Sequence, residues 1–518
     1  MTGSLSLTQR TFASVPRHSS VQSIRLALLG LALLGVLVGC GWLVARGHTK
    51  WLLIAAVAGA LCLLAIQQRG YFIGVMVLAA MNGVPFFDTA PYVASKATIA
   101  DIAVIGMILV SGAWILADRD HYRPTPAARA ISGAGAVLLL WWTFTIVRTL
   151  SEEGPLTRAA SFGRGFAFFA LLLIVLPHVR LSDRDIGRLL GVLAVGVCVF
   201  AVGQTMIGTG LGDPGSVIHL QFTLADSGLT RVYANMTDLV TAGLAVSIAA
   251  CLLGRGRVRL VALPIALVLT TSTLVQLTRA RWIGLVVALV LVGTWLMVSG
   301  DAQSIKTLRR RLKFAVGPTV AVAAATTLAI PGILSNATVG NRLSSVFVTL
   351  QTGGGTVAIR EAVTNRMIAY LGEGWTTGLG FVSPTTHFYF GLPSGSIQNT
   401  DLGVLNAVMT MGIVGAVLVY APVVIVLLFL LRRGSQRGGT YSWLRYGGLL
   451  WIVATLASSV TLVTLFSPSG LVLSAVALIA LTHSSVLGAA QTREDSRKHA
   501  EQAARAPVNI DISRYSTI

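Results

Sequence analysis

The stretch Leu277-Thr278-Arg279-Ala280-Arg281-Trp282 places two permanent positive charges on a short link between two long apolar runs. Arginine presents a planar fork of donors that matches phosphate oxygens. Other arginines hold comparable places. Arg164 lies about a turn inside an apolar run, and Arg231 precedes another together with Asn235. Arg360 and Arg366 lie in a long polar stretch that also holds His387 and ends near Asp401. Arg281, Arg360, Arg279, Arg231, Arg164 and Arg366 are the candidate phosphate-binding residues, and converging they would suit a diphosphate on a lipid carrier. The same arginines would also fit simple snorkelling toward lipid headgroups.

The chemistry implied is glycosyl transfer. An acceptor hydroxyl attacks an anomeric carbon and the lipid diphosphate departs, while guanidinium groups neutralise charge on the leaving group. A base beside the hydroxyl would help. His387, of a residue type that titrates near neutrality, and Asp401 are the candidate catalytic residues. The polar stretches carry no DxD or other paired acidic set of the kind a hard cation needs, so no metal and no cofactor is expected.

These residues need a scaffold, and the composition says which. The chain is 518 residues long, 54% hydrophobic and only 11% charged, against roughly 25% charged in soluble domains. Apolar runs of membrane-crossing length recur along it, giving an all-α polytopic membrane protein of about 12–14 transmembrane helices. Candidate spans fall near 25–45, 50–67, 71–87, 99–117, 130–148, 161–178, 185–207, 233–253, 259–276, 280–298, 314–331, 402–431, 445–465 and 469–487. Asn82-Gly83-Val84-Pro85 interrupts the third, which could be re-entrant. The formal net charge of +20 does not imply nucleic acid, because no zinc-finger spacing or aromatic-interleaved basic patch accompanies it. Cys40, Cys62, Cys198 and Cys251 each fall inside an apolar run and read as packed thiols.

Charge alternates along the chain. Arg119, Arg123 and Arg129 fall in one link, Arg180, Arg184 and Arg188 in a later one, then Arg255, Arg257 and Arg259, and further on Arg432, Arg433 and Arg437. The intervening links are poorer in base, and Ser151-Glu152-Glu153-Gly154 is acidic. This positive-inside pattern orients the chain with both termini in the cytoplasm of a multi-pass inner-membrane protein. The segments are a cytoplasmic tail over 1–24, helices over 25–331, a large extracytoplasmic loop over 332–401, helices over 402–487 and a second tail over 488–518. Within the loop, Val357 to Leu371 shows helical periodicity, with Ile359, Val363, Met367 and Tyr370 on one face.

Four local patterns then resemble the O-antigen ligase and O-antigen polymerase superfamily of bacterial membrane glycosyltransferases. They are Arg231-Val232-Tyr233-Ala234-Asn235; Thr278-Arg279-Ala280-Arg281; Arg360 followed by Gly378-Leu379-Gly380; and Asp401 followed by Met411-Gly412-Ile413-Val414-Gly415. They span residues 228–420. The resemblance implies a polyprenyl-pyrophosphate-linked glycan as donor, a glycan, lipid or protein as acceptor, and metal-independent transfer. It marks Arg281 and Arg360 as the leading phosphate ligands. The sequence departs from the family where Asn399-Thr400-Asp401 stands in place of a histidine beside asparagine, which leaves the base open. A transporter or flippase of lipid-linked sugars is the alternative.

Overall fold

The computed structural model describes residues 60–61, 64–81, 99–118, 124–151, 156–208, 220–226, 229–234, 236–254, 256–276, 279–299, 364–365, 368–369, 371–372, 374–381, 403–431, 441–460, 468–483 and 486. The spans expected at 25–45 and 314–331, both tails and most of 332–401 lie outside the described residues. Two compact units divide the chain, residues 1–72 and 73–518. In the first, the described residues are helical on either side of Gln68, whose amide donates to Leu64 O at 2.7 Å.

Among the described residues the helices are α1 (Arg69–Ala80), which crosses the unit boundary, α2 (Ile99–Ala117), α3 (Pro126–Ser151), α4 (Leu156–Val175) and α5 (Asp183–Gly208). After a β-hairpin come α6 (Thr237–Leu253), α7 (Arg257–Gln276), α8 (Arg279–Ser299), α9 (Val404–Leu431), α10 (Ser442–Ser458) and α11 (Pro468–Leu481). Among the described residues, six helices are long and apolar enough to cross a membrane: α2, α3, α5, α7, α8 and α9. Their outward faces are apolar too. Leu116, Leu140, Leu260 and Val298 are each more than 70% exposed. A helix that is apolar all round belongs in a hydrocarbon environment, so these residues form membrane helices.

Local sequence explains where helices begin. Thr125 Oγ1 accepts the Ala128 amide at 3.1 Å ahead of Pro126, the first residue of α3. Ser182 and Asp185 form a capping box at α5: Ser182 Oγ accepts the Asp185 amide at 3.2 Å, and Asp185 Oδ2 accepts the Ser182 amide at 3.0 Å. Inside the helices, threonine hydroxyls donate to the carbonyl one turn back, as Thr145 does to Trp141 O at 2.9 Å. Between helices, Ser272 Oγ donates to Gln204 Oε1 at 2.7 Å, both fully buried, tying α7 to α5.

The described fold is helical, as expected, apart from one hairpin. Strands β1 (Leu220–Asp226) and β2 (Leu229–Ala234) form an antiparallel hairpin. Phe222, Thr223, Val232 and Tyr233 favour extended backbone, and two residues, Ser227-Gly228, link the strands. Arg231 therefore does not open a span. It lies on β2, paired with Leu224 of β1, and the helix begins at Thr237. β2 packs on α5 and α7.

The contacts between helix ends agree with the alternation read from charge. Ser132 meets Ile174 O, Tyr441 meets Asp183 O and His483 meets Leu181 O, all at ends expected to be arginine-rich. There Arg445, buried in the fold, donates from Nε to Leu430 O at 2.7 Å and lies over Trp295 at 5.7 Å. At the opposite ends, Val404 N–H donates to Ser459 O at 2.9 Å.

Candidate functional site

Gly412 breaks α9. Its φ of 71° and ψ of −179° are open to glycine and closed to other residues. A broken helix frees carbonyls that apolar surroundings cannot leave unpaired. Here each finds a donor. Leu379 N–H donates to Met409 O at 2.6 Å and Gly380 N–H to Thr410 O at 3.0 Å. The Trp141 indole donates to Met411 O at 2.9 Å. Below the break, Ile413 N–H donates to Trp375 O at 2.8 Å.

The turn that supplies these amides is Gly378-Leu379-Gly380, with positive φ at both glycines, 74° and 84°. A Cβ on Gly378 would strike the Gly412 amide, and one on Gly412 would strike Thr376 O. Two patterns on which the family resemblance rests, Gly378–Gly380 and Met411–Gly415, are thus one backbone junction in space.

The end of α3 and the start of α4 complete the junction. Thr149 Oγ1 accepts the Phe381 amide at 3.0 Å, and Arg148 donates to Thr377 Oγ1. Phe381 is buried against Phe166. Trp142 donates to Gly163 O at 2.8 Å. Next to Gly163, Arg164 Nη1 lies 3.0 Å from Asp101 Oδ2 in the first turn of α2. Arg164 therefore adjoins the junction, and its charge is balanced by a buried carboxylate.

A second ion pair joins α8 to α6, both of which pack on α10. Arg281 Nη2 is 2.9 Å from Asp238 Oδ1, each side chain 13% exposed. Arg279 and Arg281 are not on an open link. α8 begins at Arg279, so both fall in its first turn, where the helix dipole disfavours a cation. Asp238 sits in the first turn of α6, where the dipole favours an anion, and it compensates. Beside the pair is a space of about 10 Å³ lined by Asp238, Thr241, Thr455, Ser458 and Ser474, enough for about one water. Ser458 and Ser459 end α10, and Ser459 O accepts from the first turn of α9. The first pair thus adjoins the break through Gly163, while the second lies on helices packed against α10, whose end meets the start of α9.

Of the sequence-derived candidates, Arg164 and Arg281 are placed at this end. Arg231 and Arg279 are placed by backbone alone. Arg360, Arg366, His387 and Asp401 lie outside the described residues; in the stretch expected to be helical, residues 364–365, 368–369 and 371 are helical. Sequence reading missed Arg148, Asp101 and Asp238. A signal was available for the two aspartates: a carboxylate within an apolar run is as costly as an arginine, so its presence implies a partner.

No protein-family model matches the chain, and no curated protein matches it.

Proposed function

We propose that the chain is a membrane glycosyltransferase that moves a glycan from a polyprenyl-pyrophosphate carrier to an acceptor hydroxyl at the outer face of the cytoplasmic membrane. The observation that supports this reading is the meeting of Gly378-Leu379-Gly380 with the break at Gly412, beside the helix end that holds Arg164. Fixed glycine turns and oriented guanidinium groups at one end of a helix bundle are what diphosphate binding asks for. Asp238 Oδ1 accepts from Arg281 Nη2 at 2.9 Å and orients the guanidinium. In the reaction, the acceptor oxygen bonds to the anomeric carbon, the bond to the pyrophosphate oxygen breaks, and the hydroxyl proton passes to a base. Arg281 and Arg360 would stabilise the leaving diphosphate, and His387 and Asp401 remain the candidates for the base.

The alternative, transport of a lipid-linked sugar, gains from the same break, since discontinuous helices mark substrate sites in transporters. One experiment separates the two. In cells carrying Arg281→Ala, a transferase defect leaves the glycan on its carrier at the outer face. A transport defect traps it at the cytoplasmic face. Normal surface glycan in Arg281→Ala cells with wild-type protein levels would end both readings.

A further inference from the structure

At the arginine-rich end, α5, α6, α7, α10 and α11 line an apolar chamber of about 450 Å³. Its walls run from Gly187 to Val197 on α5 and from Tyr441 to Trp451 on α10. Helix walls of about ten residues, rising about 1.5 Å each, give a depth of about 15 Å. That is about half of a 30 Å hydrocarbon core, the thickness of one leaflet. Small side chains open the space. Gly191 and Ala250 line it, and a Cβ on Gly191 would meet nothing within 4 Å.

The mouth differs from the walls. Arg257 lines it, exposed at the start of α7, with Arg259 also exposed nearby. Neither is in an ion pair among the described residues. Trp443 lines the same end, and its indole N–H is buried with no hydrogen-bond acceptor. Buried donors are nearly always satisfied, so an acceptor belongs beside it. Arginines at a membrane surface attract anionic headgroups.

We propose that this chamber holds one acyl chain of an anionic glycerophospholipid from the leaflet at the arginine-rich end, its phosphate against Arg257 and its ester region beside Trp443. The one-leaflet depth fits a lipid chain, whereas a further membrane-crossing helix needs twice that length. Its inner end, at Leu239, Trp451 and Leu473, approaches the Arg281–Asp238 pair, but the proposed headgroup site at Arg257 and Trp443 lies at the opposite mouth and does not depend on the glycosyltransferase reading.

The test is native mass spectrometry of the full-length protein, exchanged into nanodiscs with equal amounts of phosphatidylglycerol and phosphatidylcholine bearing identical chains. The wild type should retain one phosphatidylglycerol per chain, in preference to phosphatidylcholine. Gly191→Phe should fill the chamber and lower retention at least tenfold. Arg257→Gln should lower the preference for phosphatidylglycerol about fivefold while leaving a lipid bound. Arg257 is exposed, so its variant decides the matter even if Gly191→Phe fails to fold. The proposal is overturned if the wild type holds no lipid or holds both equally. It is also overturned if the retained lipid is a polyprenyl phosphate, or if neither variant changes retention.

Discussion

The pair Arg281–Asp238 sets the energetics at the residue scale. Both side chains are mostly buried, so removing one leaves the other charged in apolar surroundings. Asp238→Ala or Arg281→Ala alone should each cost about 3 kcal/mol, measured by thermal unfolding in detergent. The double substitution should recover much of that stability, because no charge is left unpaired, yet it should stay inactive if Arg281 holds the donor. A double variant with wild-type transfer would remove Arg281 from the site. Tyr441 makes a pH prediction at the other end. Burial, and secondarily the Asp183 carboxylate, push its phenol above the usual range. A raised value means the neutral phenol is favoured in the fold. Its contribution is whole below the ordinary phenol pKa and is lost as pH rises through the folded one. Unfolding midpoints between neutral pH and strong alkali should therefore fall less steeply in Tyr441→Phe than in the wild type.

At the scale of elements, the Gly412 junction is the most constrained feature. Gly412→Ala combines a closed backbone region with a clash against Thr376 O. It should cost at least about 3 kcal/mol and loosen the 374–381 turn, visible as faster amide exchange at Leu379 and Gly380. Gly133→Ala is the contrast. It lies within α3, where a Cβ meets nothing within 4 Å, and should stabilise by up to about 1 kcal/mol. The helices were legible because apolar run length is a property of the sequence itself: α2, α3, α5, α7, α8 and α9 all fall on expected spans. The junction was legible only as separate glycine patterns. Nothing local tells that Leu379 donates to Met409, since that bond joins backbone atoms far apart in sequence. The hairpin was missed because Arg231 and Asn235 flank a span, and that position outweighed the β-branched and aromatic residues beside them. The pairings of the carboxylates were not legible because nothing in the sequence spacing joins Asp101 to Arg164 or Asp238 to Arg281; each pair forms only when separate helices pack.

For the whole molecule, the testable quantity is orientation. The helix-end contacts establish which ends meet, and the positive-inside expectation proposes which side each faces. In a chain stripped of its own cysteines, Thr230→Cys on the hairpin should react with a membrane-impermeant thiol reagent added to intact cells. Ser442→Cys, exposed at the start of α10, should react only after permeabilisation. The opposite pattern would invert the molecule and place both ion pairs in the cytoplasm, away from any outer-face chemistry.

The meeting of Gly378, Gly380 and Gly412 has a consequence for descent. It is built mostly from main-chain amides and carbonyls, with Trp141, Arg148 and Thr149 as its side-chain supports. Surrounding side chains can be exchanged over generations without disturbing it, provided the three positions stay glycine. A distant cousin should keep that sparse spacing as its lineage mark long after its apolar helices have been rewritten.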